Sequence, residues 1–522
     1  MKKSVAFFFF FILTFCVQAQ IEFEKIYGTT NGESCNSIQA ASDGGYILAG
    51  SVSVVGNQDD MYLTKIDSTG NLLWTKTYGG TSAEYGIFAI ETNDGGFIIA
   101  GYTQVSAGYY DIYIVKTDSA GNLAWSKKYG GAGSEIPNRI EQTTDGGFYI
   151  SGYTEFSYGP RAIYAIKTDA NGNVSWTKAY RGMRYATGYC AQQTSDHGYI
   201  LTGQIVDSLS TYVYDVLLVK TDSVGDTLWT RTFGGSNTEE PFSVKQTTDE
   251  GYIVTGRTYS YGAGSTDVFL TKTDSIGIPQ WTKTFGGIAP ELAKDVQQTQ
   301  DGGYIVAAWT QSFGNGVDDY YLIKTDANGD TLWTKAYGGS GGDFAYSIKK
   351  TSDGGYIVAG ESYSFPFGDY NLYVVKTDSN GNAGCFQSKA HTIQTSPVMP
   401  VTNLPCVIYS GGVATVVSPT VGNIIFIDST FCSNVGIEEN NRGTNSISIF
   451  PNPFSNSTTI HIDDANSNEW NFQVYDNLGK LVFEKMIYSQ DETLSFNLTS
   501  GMYFYKVKNE KEIISSGKLV VQ

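Results

Sequence analysis

Histidine is almost missing from this chain, with three residues in 522. His197, His391 and His461 share no repeated position, so neither a Ser-His-Asp triad nor a histidine-ligated metal has the residues to build it. No catalytic residue and no metal ligand is therefore assigned. Cysteine is sparse too: the six cysteines form no CxxC pair, which excludes a thiol redox motif and a zinc knuckle. Proline is scarce at 12 residues, while the apolar fraction is an ordinary 41%, so wholesale disorder is excluded. Only 16% of the chain is charged, and acids outnumber bases, 52 Asp and Glu against 34 Lys and Arg, for a net −18. Such a surface repels phosphate backbones and anionic lipid, which argues against nucleic acid as a partner.

What is present begins with an export signal. Met1-Lys2-Lys3, an apolar stretch from Val5 to Val17, and Gln18-Ala19-Gln20 read as a secretory signal peptide over residues 1–19, cleaved between Ala19 and Gln20. The stretch is too short to cross a bilayer and nothing later matches it, so no transmembrane span is expected in the mature chain. Phe15 before Cys16 is too bulky for the usual lipobox. Cleavage would move the net charge from −18 to −20, because Lys2 and Lys3 leave. Cys35, Cys190, Cys385, Cys406 and Cys432 remain; one disulfide among the last three would suit an oxidising compartment, with the pairing open.

Glycine (60), tyrosine (37) and phenylalanine (28) are abundant, and they are periodic. Asp-Gly-Gly or a variant recurs at Asp43, Asp94, Asp145, Asp196, Asp249, Asp301 and Asp353, at spacings of 51 to 53 residues. An aromatic followed two residues later by a basic residue keeps step at Phe23, Trp74, Trp125, Trp176, Trp229, Trp281 and Trp333. Each unit parses into four short strands separated by Gly and Asp turns, and no segment has helical periodicity with caps. Four strands in about fifty residues is the size of a propeller blade. The expected fold is all-β: a seven-bladed β-propeller over residues 20–387. The segment from Phe23 to Gly28 matches a fourth strand and precedes the first unit, so it is expected to complete the last blade and remove its exposed edge.

The Asp67-x-x-Gly70 turn leading to Trp74, and its repeats, resemble the tryptophan-docking motif of quinoprotein-like propellers, in repeats of kelch-like size. The turn also loosely resembles the Asp-box of sialidases. Both resemblances imply a propeller and carry no chemistry with them.

The rhythm stops after residue 387. Residues 388–445 are expected to be a linker with short strands, for example Val413–Val417 and Ile424–Ile427. From Ser446 a different pattern begins: Pro451-Asn452-Pro453, then Val474-Tyr475-Asp476-Asn477-Leu478-Gly479-Lys480, then Gly501-Met502-Tyr503, and finally Gly517-Lys518-Leu519. In this order they resemble the type A C-terminal sorting domain of the type IX secretion system of Bacteroidota. That resemblance implies a small Ig-like β-sandwich over 446–522, recognised by the type IX machinery, with passage through the periplasm to the outer-membrane cell surface or the medium. Pro451, Asn452, Pro453, Gly479, Gly501, Tyr503 and Lys518 are the motif residues it implies.

Two acids recur in most repeats. Glu33, Glu84, Glu135, Glu239, Glu291 and Asp343 lie ten residues before the turn aspartate; Asp60, Asp111, Asp215, Asp267 and Asp319 open the third strand. They are expected to cap turns or to pair with the recurring lysines Lys65, Lys116 and Lys220. Calcium is the one candidate cofactor, suggested by Asp169-x-Asn171-x-Asn173 and Asp326-x-Asn328-x-Asp330, which lack the later bidentate Glu. A binding site should break a repeat rather than obey it. At one junction Ala162 and Ala186 replace the acids, with Arg161, Arg181, Arg184 and Tyr185 beside them. Arginine forks carboxylates and aromatics stack on sugars, so these four are the expected ligand-binding residues. The first functional reading is non-enzymatic binding or adhesion to an extracellular glycan or protein; the alternative is a carbohydrate-active hydrolase or lyase using rim carboxylates.

Overall fold

The computed structural model describes residues 21–54, 58–106, 108–155, 161–181, 185–206, 213–365, 370–384, 387–402, 407–409, 413–416, 420–423, 427–435, 446–450, 457–463, 469–476, 480–496, 498, 501–508 and 513–521. Among these there is no helix; every regular element is a strand. The chain divides into two compact units, one ending at Val435 and one running Gly436–Gln522.

The first unit contains seven antiparallel five-stranded sheets, a β-propeller-like arrangement. Six of them take four strands from one repeat, and the seventh takes three. In the first sheet these are Glu33–Ala40, Tyr46–Ser53, Asp59–Ile66 and Leu72–Gly79. The Asp-Gly-Gly turn joins the first two strands because Gly44 reaches φ +85°, and because Asp43 Oδ1 accepts both Gly45 N–H (2.9 Å) and Lys65 Nζ (2.8 Å). The strand Ile21–Gly28 pairs with Asn371–Thr377 in the seventh sheet, Phe23 opposite Lys376. First strands of successive sheets pack on one another, and the seventh packs on the first.

Tryptophan locks neighbouring sheets together. The glycine of each third-to-fourth strand turn has φ near +80°, and a Cβ on it would collide with the aromatic ring of the preceding repeat. At Gly329 that Cβ would lie 2.7 Å from Trp281 Cζ3; at Gly121, 3.0 Å from Trp74. Tyr78 Oη donates to Gly121 O at 2.7 Å and Tyr129 Oη to Gly172 O at 2.7 Å, adding a polar clamp to each contact.

Residues 387–435 do more than link. The chain runs backward past the sheets and gives each one a fifth strand. Gln387–Lys389 pairs on the sixth sheet, Ile393–Thr395 on the fifth, Val401–Thr402 on the fourth and Val407–Tyr409 on the third. Val413–Val416 pairs on the second, Thr420–Asn423 on the first and Ile427–Val435 on the seventh. Each fourth strand would otherwise present an unpaired edge. Of the strand expected at 413–417, Val413–Val416 is a strand; 417 and 424–426 lie outside the described residues. Six of these seven pieces have only two to four residues, too short to show a period of two, which is why the sequence reads as a linker.

The second unit is a small β-sandwich. Ser446–Phe450, Ser457–Asp463 and Asp491–Ser495 form one sheet; Leu481–Ile487, Trp470–Tyr475, Gly501–Lys508 and Ile513–Val521 form the other. Ile460, Ile462 and Leu494 of the first meet Trp470, Phe472, Val507 and Leu519 of the second in one apolar core.

Candidate binding cavity

The recurring acids are structural. Glu84 Oε2 accepts Gly80 N–H at 3.0 Å and its Oε1 accepts Thr103 Oγ1 at 2.7 Å; Glu135, Glu239 and Glu291 repeat both bonds, and Asp343 accepts Gly339 N–H at 2.9 Å. They cap turns, as expected. The lysines do not serve them. Lys65, Lys116, Lys220 and Lys324 reach instead to the turn aspartates Asp43, Asp94, Asp196 and Asp301 at 2.8–2.9 Å, because the third strand carries them toward the opposite end of the sheet.

Each aspartate that opens a third strand lies beside the next repeat's capping acid. Asp60 Oδ1 and Glu84 Oε2 are 1.9 and 2.9 Å from the point a Gly79 Cβ would occupy, so glycine is required there. Burial, and then the Glu84 charge, push Asp60 up to about 6. Burial and the Asp343 charge do the same to Asp319. Where Ala162 and Ala186 remove both acids, Arg181 replaces that glycine. The three changes are one event at one sheet junction.

Arg161 and Tyr185 flank that junction: Ala186 N–H donates to Arg161 O at 3.0 Å, and Val206 N–H to Tyr185 O at 3.1 Å. The Arg161 guanidinium ion-pairs with Glu155 and stacks 5.0 Å over Tyr153. Arg184 lies outside the described residues. In the two calcium-like turns, Asp169 Oδ1 accepts Asn171 and Asn173 N–H, and Asp326 Oδ1 accepts Asn328 and Asp330 N–H, at 2.8–2.9 Å.

A second set of residues breaks the repeat, and sequence reading missed it. The first strand of every sheet has a β-bulge at the residue seven before the turn aspartate. These are Asn36, Ile87, Asn138 and Tyr189 in sheets one to four, and Phe242, Lys294 and Tyr346 in sheets five to seven. A bulge leaves its extra residue out of the ladder and re-aims the side chain. All seven line one cavity of about 330 Å³, with Phe88, Arg139, Asp295 and Ser347. The legible signal was variability at a fixed repeat position, against aliphatic or small residues two places later such as Ile38, Ala89 and Val296.

The cavity is charged, unlike an ordinary strand-lined interior. Asp295, 3% exposed, accepts Lys349 Nζ at 2.8 Å and Ser243 Oγ at 3.1 Å; Lys349, Arg139 and Lys245 hold its carboxyl far below the usual range. Burial lowers Lys349 to about 8. Glu141 accepts Gln193 N–H, and burial raises it to about 7 against the pull of Lys245. Arg139 stacks 4.3 Å over Phe88. Lys294 Nζ sits 3.9 Å over Phe242 and 5.8 Å from Tyr346, and burial brings it down to about 8. Two residues before the bulge, Tyr85 stacks on Tyr102 at 4.9 Å in the second sheet, and Phe344 meets Trp309 of the sixth sheet at 5.7 Å. Glu361, raised by burial to about 7, lies 3.5 Å from Tyr346 Oη.

In the second unit Gly501 opens a strand, Tyr503 is in the core, and Lys518 pairs opposite Phe504; Pro451, Asn452, Pro453 and Gly479 lie outside the described residues, as do Ala19 and Gln20. No helix of the described residues is long and apolar enough to cross a membrane. No curated protein matches the chain. A solved structure of an unknown function protein from Dyadobacter fermentans DSM 18053 is similar over 68% of this chain and 98% of its own, at 12% identity and a TM-score of 0.39. The fold therefore rests on the strand pairing given above. Residues 448–522 match the secretion system C-terminal sorting domain family, and a type IX tail of this kind indicates export to the cell surface or extracellular space.

Proposed function

We propose that this chain is an exported, closed seven-bladed β-propeller that binds an extracellular glycan or protein without transforming it. In this reading residues 1–19 are a signal peptide, and the type IX machinery recognises the Ig-like sandwich at 446–522. One observation carries the binding role: positions that break a strict repeat converge on one cavity. Repetition serves the scaffold, whereas a ligand needs an asymmetric surface. Arg161, Arg181 and Tyr185 at the junction of the third and fourth sheets, where Arg161 stacks on Tyr153, serve as further ligand contacts in this reading, with Arg184 assigned to them from the sequence.

A hydrolase or lyase is the second reading, favoured by Glu361 beside Tyr346 with a carboxyl raised to about 7. The mature chain is passed over a panel of immobilised polysaccharides with and without calcium. Retention without soluble products, weakened by Trp309→Ala and by Arg161→Ala, is the expected result. Soluble products that vanish in Glu361→Gln would establish the enzyme instead.

A further inference from the structure

The cavity has more positive charge than its own residues use. Lys349 is spent on Asp295, and Lys245 faces Glu141. Arg139 and Lys294 remain. Neither makes an ion pair or hydrogen bond with the described residues, and each is instead held against an aromatic face, Phe88 at 4.3 Å and Phe242 at 3.9 Å. Asp295 and Glu141 act on Arg139 without touching it, and Glu240, the acid acting on Lys294, is ion-paired to Arg257, so a protein of net −18 directs into one cavity two cations that no acid contacts directly. Holding a lysine in such surroundings is unfavourable unless something offsets it, and burial already draws its proton affinity down. An anion supplied from outside would offset it through charge-assisted hydrogen bonds.

The rest of the lining limits what carries that anion. Tyr189 and Phe242, 5.0 Å apart, offer an apolar wall beside Lys294. Asn36 and Asn138 are fixed in place by donating Nδ2 to Gly86 O (2.8 Å) and Gly188 O (2.7 Å) of the neighbouring sheets. A volume of about 330 Å³ is at the small end for ligand pockets. A bare inorganic ion would leave the aromatic wall unused, and a flat aromatic acid would leave the polar amides unused. A sugar ring bearing a carboxylate satisfies both.

We propose that this cavity is an acidic-sugar subsite, with Lys294 and Arg139 holding the carboxylate and Phe242 and Tyr189 packing on the ring. The inference rests on the cavity being the binding site of the preceding section, and it adds the chemical class of the ligand. The test titrates the mature chain calorimetrically with D-glucuronate, its uncharged methyl ester, D-glucose and inorganic sulfate. Lys294→Met, Lys294→Arg and Phe242→Ala are titrated alongside, with thermal unfolding as the control for folding. Glucuronate should bind about tenfold or more tightly than the ester or glucose, the gain of one charge-assisted hydrogen bond. Lys294→Met should lose that margin and Lys294→Arg should keep it. Equal binding of glucuronate and glucose, abolished by Phe242→Ala, would overturn the carboxylate assignment while leaving the cavity as a sugar site. Sulfate binding as well as glucuronate and indifferent to Phe242→Ala would overturn the sugar. No response to any probe would overturn this inference, whereas retention on the polysaccharide panel would still stand for the broader reading.

Discussion

The buried acid pairs make a quantitative prediction at Asp319. Its side chain is 1% exposed; Oδ2 accepts Gly316 N–H at 2.8 Å, but Oδ1 has no partner among the described residues. Oδ1 and Asp343 Oδ2 both lie 2.4 Å from the point a Gly338 Cβ would occupy, so these two carboxyls face one another, and the charge of adjacent Asp318 adds to theirs. Burial and these neighbours push Asp319 up from 3.8 to about 6. The folded state therefore holds this proton more tightly than the unfolded chain does. The linkage sign follows: this group's contribution to stability is greatest below about pH 4 and is lost as pH rises through about 6. A shift of about two units at 1.36 kcal/mol each makes the full penalty about 3 kcal/mol at pH 7. Asparagine has the shape of the protonated acid and does not titrate, and Asn371 already stands at the equivalent position of the seventh sheet. Asp319→Asn should gain about 2–3 kcal/mol at pH 7 and nearly nothing at pH 4. Thermal unfolding of the mature chain at both pH values measures this. An equal gain at both, or a loss at pH 7, refutes the reasoning. A loss accompanied by calcium-dependent stability of the parent protein would mean that the two acids ligate an ion.

Other consequences are simpler to test. His197 and Glu250 both sit at φ +65°, where the other turns use glycine, so His197→Gly and Glu250→Gly should each raise stability by about 1 kcal/mol, read from unfolding midpoints. Gly329→Ala combines φ +77° with a Cβ 2.7 Å from Trp281, and should cost about 2–4 kcal/mol with a visible change in tryptophan emission.

Sequence alone determined the repeat unit, its turns and the all-β class, because these are local. Asp-Gly-Gly needs only its own backbone and one lysine, and period-two strands show their faces directly. It also placed the sorting tail, whose motifs are contiguous. Tertiary structure decided what depends on distant partners. The short strands of 387–435 gain strand character only by pairing with edges up to several hundred residues away. The arginines around Ala162 and Ala186 stood out in the sequence, yet their junction is explained by the joint loss of two acids and a glycine that meet only in space. The bulge residues, spread from Asn36 to Tyr346, became a single cavity only when seven first strands came together, since a side chain lifted out of its ladder leaves no periodic trace in the strand that carries it.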